Sequence, residues 1–246
     1  MNRILGKAGK RIRRLTKIPL RKLKQFLPFK SQKNQDLWVI FKALPFRRGG
    51  YFLELAAADG ITHSNTYALE KIFGWKGICV EPNPYFFESL QKRRQCITDN
   101  SVVSDSEEAI EFRIDNEQLG GIVAADTDNN ELTRGDQLAD AEIISYKAIR
   151  LETLLERHNA PPVIDYLSLD VEGSEERVLR NFDYGKYKFR CITIERPTPE
   201  LNNVLFDNDY VFVKNHRDDT FYVHSSLLET RHIKCLPFEQ VPPKNW

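Results

Sequence analysis

No apolar run in this chain of 246 residues approaches the length that crosses a bilayer. No apolar block stands behind the charged N-terminus, so a secretory signal pattern is missing too. None of the four cysteines, Cys79, Cys96, Cys191 and Cys235, sits at the C-x-x-C spacing of a metal site. The first three lie in apolar runs, where cysteine acts as a small core residue. That favours a reducing compartment, and the cytoplasm is the expected location. No Ser–His–Asp order and no zinc-ligand cluster stands out, and the G-x-G-x-x-G fingerprint of nicotinamide enzymes does not occur.

Acid is also missing from residues 1–30, which hold 11 Lys or Arg. The chain as a whole is nearly neutral, so the rest is acidic, with 25 basic and 35 acidic side chains. An acidic body repels a polyanion, which makes nucleic acid an unexpected substrate. In the basic segment, Leu5, Ala8, Ile12, Leu15, Leu23 and Phe26 recur at helical spacings, interrupted by Pro19. Three readings stand: an amphipathic element lying on an anionic membrane surface, a solvated tail or, behind these, a mitochondrial transit peptide. Residues 31–246 are expected to form the folded domain.

The chain is organised around residues 51–65. Tyr51, Phe52, Leu53 and Leu55 make a short buried strand, which ends in small residues, Ala56, Ala57 and Ala58, before Asp59 and Gly60. Small residues at a strand-to-helix turn let a ligand approach the backbone and the free N–H groups of the helix start. Alternating units follow. Strands are expected near 77–81, 96–98, 109–114, 146–151, 163–170 and 190–195, and a final hairpin over 210–214 and 220–224. Helices are expected at 35–46, 64–73, 83–94, 151–158, 174–181 and 199–206. Residues 115–141 show no periodicity and many acids, and are expected to be a loop, read as a lid over the acceptor. The alternation predicts an α/β fold with a mainly parallel sheet and helices on both faces.

Four blocks occur in order: Glu54-x-Ala-x-x-x-Gly60, Glu81-Pro82-Asn83-Pro84, Asp99-Asn100-Ser101 with the residues to Ser104, and Leu169-Asp170-Val171-Glu172-Gly173-Ser174-Glu175. Together they resemble the FkbM family of S-adenosylmethionine-dependent methyltransferases, over roughly residues 51–225. The resemblance implies a Rossmann-like class I methyltransferase fold: a seven-stranded, mainly parallel sheet with an antiparallel last strand. One departure is Ala56, where the family usually has glycine.

S-adenosylmethionine is then the expected cofactor, at a sheet edge carrying Glu54, Ala56, Ala58, Asp59 and Gly60. Glu81, with Pro82 and Asn83, ends the second strand, where a carboxylate accepts ribose hydroxyls. Asp99, Asn100 and Ser101 follow the third strand. They serve either the adenine amino group or an ordinary Asx turn. Asp170 and Glu172 end the fourth main strand, where Asp170 is a base or, with Glu172, a ligand of a magnesium-like ion. The alternative for Glu172 or Ser174 is a helix cap. His63 is a further candidate base. Arg196 either meets an acidic acceptor or pairs with Glu195. The expected reaction is O-methylation of a sugar or glycan hydroxyl. The competing readings are a non-catalytic, membrane-associated protein on the same fold and, behind it, a nicotinamide-dependent oxidoreductase.

Overall fold

A computed structural model describes residues 28–115 and 119–242. In chain order the elements are α1 (Gln35–Trp38, running on as a π turn over Val39–Ala43), β1 (Tyr51–Leu55), α2 (Tyr67–Phe73), β2 (Lys76–Val80), α3 (Pro84–Arg93) and β3 (Ile97–Asp99). Next come β4 (Ala109–Arg113), β5 (Gly121–Ile122), α4 (Glu131–Leu138), β6 (Ile143–Lys147), α5 (Leu151–Arg157), β7 (Val163–Leu169) and α6 (Glu175–Leu179). The chain closes with β8 (Lys188–Glu195), α7 (Pro199–Asp207), β9 (Tyr210–His216), β10 (Asp219–His224) and α8 (Ser225–Leu228).

Seven strands form one sheet in the order β3-β2-β1-β7-β8-β10-β9. The first five are parallel, and β10 runs antiparallel between β8 and β9. This is the mainly parallel sheet with an antiparallel last strand that the sequence resemblance implies. Strand alternation splits the core into two layers. Leu53, Leu55, Ile78, Val80, Leu167, Leu169, Ile192 and Ile194 face one side, covered by Leu154 of α5, Val178 of α6 and Leu201 of α7. Phe52, Cys79, Tyr166, Cys191, Phe221 and Val223 face the other, under Leu37, Ile40, Leu69 and Leu90 of the first three helices. Each such side chain contributes about 1.5–3 kcal/mol on full burial.

The expectation of a structureless 115–141 does not hold for the part described. Ile122 pairs with Phe112 and packs with Val102 and Ile114, so β5, β4 and β6 make a second, three-stranded sheet. Asn130 caps α4 by accepting from Thr133 N at 2.9 Å. The apolar period there is too short to read: β5 has only two residues. The strand expected at 146–151 is displaced to Ile143–Lys147, and Ile149 makes an isolated bridge to Val103 instead. Of the basic segment, residues 1–27 lie outside the described residues, so its membrane reading has no structural counterpart here. No described helix is long and apolar enough to cross a membrane.

Candidate active site

The loop after β1 is held from beneath by Glu54. Its carboxylate accepts from Asn65 N at 2.6 Å, Ser64 Oγ at 2.9 Å and Arg94 Nη1 at 3.3 Å. Arg94 also donates to Gly60 O at 3.2 Å and Thr66 Oγ1 at 2.8 Å. With its oxygens so engaged, Glu54 shapes the loop from below rather than offering a free carboxylate to a ligand. Gly60 is there for space. A Cβ at this position, where φ is +78°, would meet Leu90 at 2.7 Å and Arg94 at 2.8 Å. Asp59 turns away from the cavity to accept from Ile61 N at 2.9 Å and Thr62 N at 2.7 Å, and to pair with Arg93. Ala56 and Ala58 take left-handed backbone, at φ 59° and 45°. Alanine therefore supplies the conformation that glycine usually would, at a cost of about 1–3 kcal/mol per residue.

Above this loop lies a cavity of about 240 Å³ at the carboxyl ends of β1, β2 and β7, lined in part by Ala56, Ala57 and Ala58. Glu81 enters it from the end of β2. Its two oxygens accept from Ala58 N at 2.7 Å and Asn83 N at 2.9 Å, and burial pushes its carboxyl up to about 7. Pro82 and Asn83 line the same wall, with Asn83 bonded through Nδ2 to Ile114 O at 2.8 Å. Val102, Val103, Phe112 and Ile122 supply an apolar side, beside Ser101. Asp99 does not line the cavity. It accepts from Ser101 N at 2.8 Å and meets His158 at 2.6 Å and Arg157 at 3.2 Å, which is the Asx-turn alternative. Asn100 is exposed and also outside the lining.

Across the cavity stand the carboxyls of β7 and β8. Oxygens of Asp170, Glu172 and Glu195 lie within 4.8 Å of one another. Glu195 accepts from Lys33 at 3.1 Å and Arg196 at 3.0 Å. Burial would raise its carboxyl, but those two cations override it and hold it at about 2, with a hydrogen bond from Asp170 adding to the effect. Asp170 shifts the opposite way: burial, then Glu195, Glu172 and Asp219, push it well above the usual carboxylate range. Glu172 pairs with Arg134 at 3.0 Å, and Arg196 pairs with Asp128 at 2.6 Å as well as with Glu195. Neither Glu172 nor Ser174 caps α6; Glu175 does the work, accepting from Val171 N at 2.9 Å and Gly173 N at 3.3 Å. Since Glu172 and Glu195 are already neutralised by side-chain cations, the magnesium-like site expected at Asp170 and Glu172 lacks a free set of ligands.

Three contributors escaped sequence reasoning. The segment before α1 crosses the cavity mouth: Ser31 bridges His63, Gln32 Nε2 lies 3.1 Å from His63 Nδ1, and Lys33 spans to Glu195 and Asp219. His63, with φ 61°, lines the mouth beside Gln32 and Gln35. Asn65 and Ser174 also border the cavity, and Asn65 Oδ1 and Ser174 Oγ are buried without a hydrogen-bond partner. Ser174 carried a signal, since it stands beside the motif acid Glu175, but it read more simply as a helix cap; Asn65 stands beside no acid and carried none.

The family model for the methyltransferase FkbM domain matches residues 54–218. The chain belongs to the FkbM family of S-adenosylmethionine-dependent methyltransferases. No curated protein matches it. Among solved structures it is similar to Aeropyrum pernix fibrillarin with natively bound S-adenosyl-L-methionine, at 16% identity and TM-score 0.41, covering 80% of this chain and 74% of that one. It is also similar to the METTL16 methyltransferase domain, at 10% identity and TM-score 0.42 over 78% of this chain and 66% of that one. A third is precorrin-6y C5,15-methyltransferase from Geobacter metallireducens, at 9% and 0.38 over 79% of this chain and 93% of that one. At such scores the reading of the FkbM site takes nothing from these three.

The FkbM cavity fits its family's cofactor by its own chemistry. A carboxylate has room for about four hydrogen bonds, and Glu81 uses two on backbone N–H groups, leaving acceptors for a pair of ribose hydroxyls. The apolar side at Val102, Phe112 and Ile122 suits a flat base, and the unpartnered atoms of Asn65 and Ser174 await a polar group.

Proposed function

We propose that this FkbM methyltransferase is an O-methyltransferase acting on a hydroxyl of a sugar, glycan or related small molecule. The observation that carries this reading is the Asp170–Glu195 pair at the cavity edge. Burial and the neighbouring acids push Asp170 well above the usual carboxylate range, so its ionised form is a stronger proton acceptor than an ordinary carboxylate, while Lys33 and Arg196 hold Glu195 ionised beside it. S-adenosylmethionine, when bound, supplies a methyl group activated by its sulfonium sulfur. Glu81 would hold the ribose, and the Ala56–Ala58 turn lets the backbone come close. The acceptor hydroxyl, whose pKa lies far above neutral, would give up its proton to Asp170 as its oxygen gains the methyl and the methyl–sulfur bond breaks, leaving S-adenosylhomocysteine. His63, Gln32 and Gln35 at the mouth would orient the acceptor, since much of the rate comes from position.

Residues 1–30 would bring the enzyme to an anionic membrane surface, a reading supported by their 11 positive charges interleaved with apolar residues. The decisive experiment is a titration with S-adenosylmethionine followed by a mass-shift screen of hydroxylated acceptors. A 14-dalton gain (about one CH₂ on the acceptor oxygen) on a sugar hydroxyl is the expected result. Methyl transfer only to nitrogen or carbon would overturn the O-methyl reading and leave the family assignment standing.

A further inference from the structure

The charge lining the cavity is one-sided. Among the described residues that border it, Glu54, Glu81, Asp170, Glu172 and Glu195 are acids, and none is lysine or arginine. Cations do stand behind the wall, each committed to one of these acids: Arg94 to Glu54, Arg134 to Glu172, and Lys33 and Arg196 to Glu195. Glu81 is engaged by two backbone N–H groups. Among the described residues Asp170 makes no ion pair, although Glu195, Glu172, Asp219 and Glu175 all press negative charge on it.

A second observation concerns hydrogen bonding. Ser174, 1% exposed, borders the same cavity, and its Oγ has no partner. Asn65, 8% exposed, donates through Nδ2 to Ser168 Oγ at 2.8 Å, which leaves Oδ1 as an unused acceptor. Buried polar atoms in native proteins are nearly always bonded, so these two mark where ligand atoms belong. The carboxylates and the Asn65 amide oxygen accept, and the Ser174 hydroxyl can accept as well as donate, so a donor group satisfies them all. A hydroxyl brings one such donor and no charge. An ammonium brings three donors and the positive charge that Asp170 is missing. A phosphate or carboxylate brings acceptors into a ring of acids.

We infer that the acceptor is an amine-bearing hydroxyl compound, such as an amino sugar, whose ammonium sits against Asp170 with Ser174 at hand. This rests on the reading of the Asp170 edge of the cavity as the acceptor side of an O-methyltransferase whose cofactor lies at the Glu81 edge, and it names the acceptor's charge. Anionic acceptors, such as uronic acids and sugar phosphates, are turned away by the same carboxyls.

The test uses the full chain saturated with S-adenosylhomocysteine, titrated by calorimetry with glucosamine, glucose, N-acetylglucosamine and glucosamine 6-phosphate. Glucosamine is expected to bind at least tenfold more tightly than glucose or N-acetylglucosamine, and the phosphate more weakly than glucosamine. Asp170→Asn should bring glucosamine and glucose to parity. Equal affinity of the parent protein for the amine and its N-acetyl form, or no measurable binding of the amine, overturns the inference. So does an amine preference that survives Asp170→Asn. If Asp170→Asn weakens S-adenosylhomocysteine and the parent shows no amine preference, the carboxylate meets the cofactor's own ammonium and the acceptor inference fails. Failure of S-adenosylhomocysteine itself to bind is a separate result, which sinks the methyltransferase reading beneath it.

Discussion

Arg94 donates to Glu54 across 3.3 Å, and both side chains are closed off from solvent. Arg94 also pairs with Glu70 at 2.7 Å, so one guanidinium ties α2 and the end of α3 to the loop after β1. Glu54 and Glu70 are costly without it. Arg94→Ala is expected to lose about 3–5 kcal/mol, the range for removing one partner of a buried pair. Urea unfolding measures the loss. A change below about 1 kcal/mol, the worth of an exposed pair, would show that the pair does not hold the loop.

Glu81 predicts a pH dependence of the cofactor-free protein. Its folded carboxyl is raised from 4.5 to about 7 by burial. The folded state therefore holds a proton that the unfolded chain has released, and stability falls as pH rises through that window. The lost contribution is about 3 kcal/mol by linkage. Thermal unfolding between pH 4 and 8 should show this fall, with Glu81→Gln flattening it. Glu175, raised to about 8, continues the decline toward higher pH and is the control, since Glu81→Gln leaves its share in place. The same variant should weaken S-adenosylmethionine by about 1.5–3 kcal/mol, the value of hydrogen bonds to a charged group. Unchanged affinity in calorimetry would remove Glu81 from the ribose role.

The second latch is Arg134, which bonds Glu172 at 3.0 Å, Asn129 Oδ1 at 2.9 Å and Leu119 O at 2.7 Å. It fastens α4 and the start of β5 to the end of β7. Arg134→Ala should release that segment while β1 and β7 stay protected, lowering the local opening free energy by about 3 kcal/mol. Hydrogen exchange over residues 119–138 would read it. Parent-like protection in the variant would mean that the second sheet alone holds the segment.

The sheet was legible in the sequence because its strands are short apolar runs buried on both faces: Leu53 and Leu55 on one side and Phe52 on the other, Ile192 and Ile194 on one side and Cys191 on the other. The strand-end acids Glu81 and Asp170 were legible for the same reason, since a strand's end fixes which sheet edge its last residue joins. What each acid touches was not. Asp59 and Asp99 look like ligand residues in the motif, yet each accepts from the backbone two residues on and pairs with a cation of a neighbouring helix. Lys33 was invisible because its partners, Glu195 and Asp219, lie 162 and 186 residues away. Residues 121–122 were missed because a two-residue strand has no period to detect.

Deletion of residues 1–30 should leave cofactor affinity within about twofold of the full chain and abolish binding to anionic vesicles. Each lysine or arginine near such a surface contributes about 1 kcal/mol, screened by salt. Co-sedimentation at low and high salt measures this. Full-length protein that ignores the vesicles at low salt would end the membrane reading.

Asp170 is where the chemistry is expected to concentrate. It follows β7, lines the cavity, makes no ion pair among the described residues, and stands beside Glu195, which Lys33 and Arg196 keep ionised. Replacing the carboxyl by an amide keeps the shape and removes the proton acceptor. Asp170→Asn should therefore lose about 100-fold or more in turnover, the usual contribution of a general base. Lys33→Met tests the other half of the pair. Without the ammonium, Glu195 shifts upward, so the pair takes up its proton at higher pH. The acidic limb of the rate profile should move upward with it. Because Glu172 and Glu195 are already paired with side-chain cations, a chelator is expected to leave the parent rate unchanged. Parent-like turnover by Asp170→Asn would move the base to His63 at the cavity mouth. A rate lost to chelator and restored by magnesium would instead give Asp170 a metal to hold.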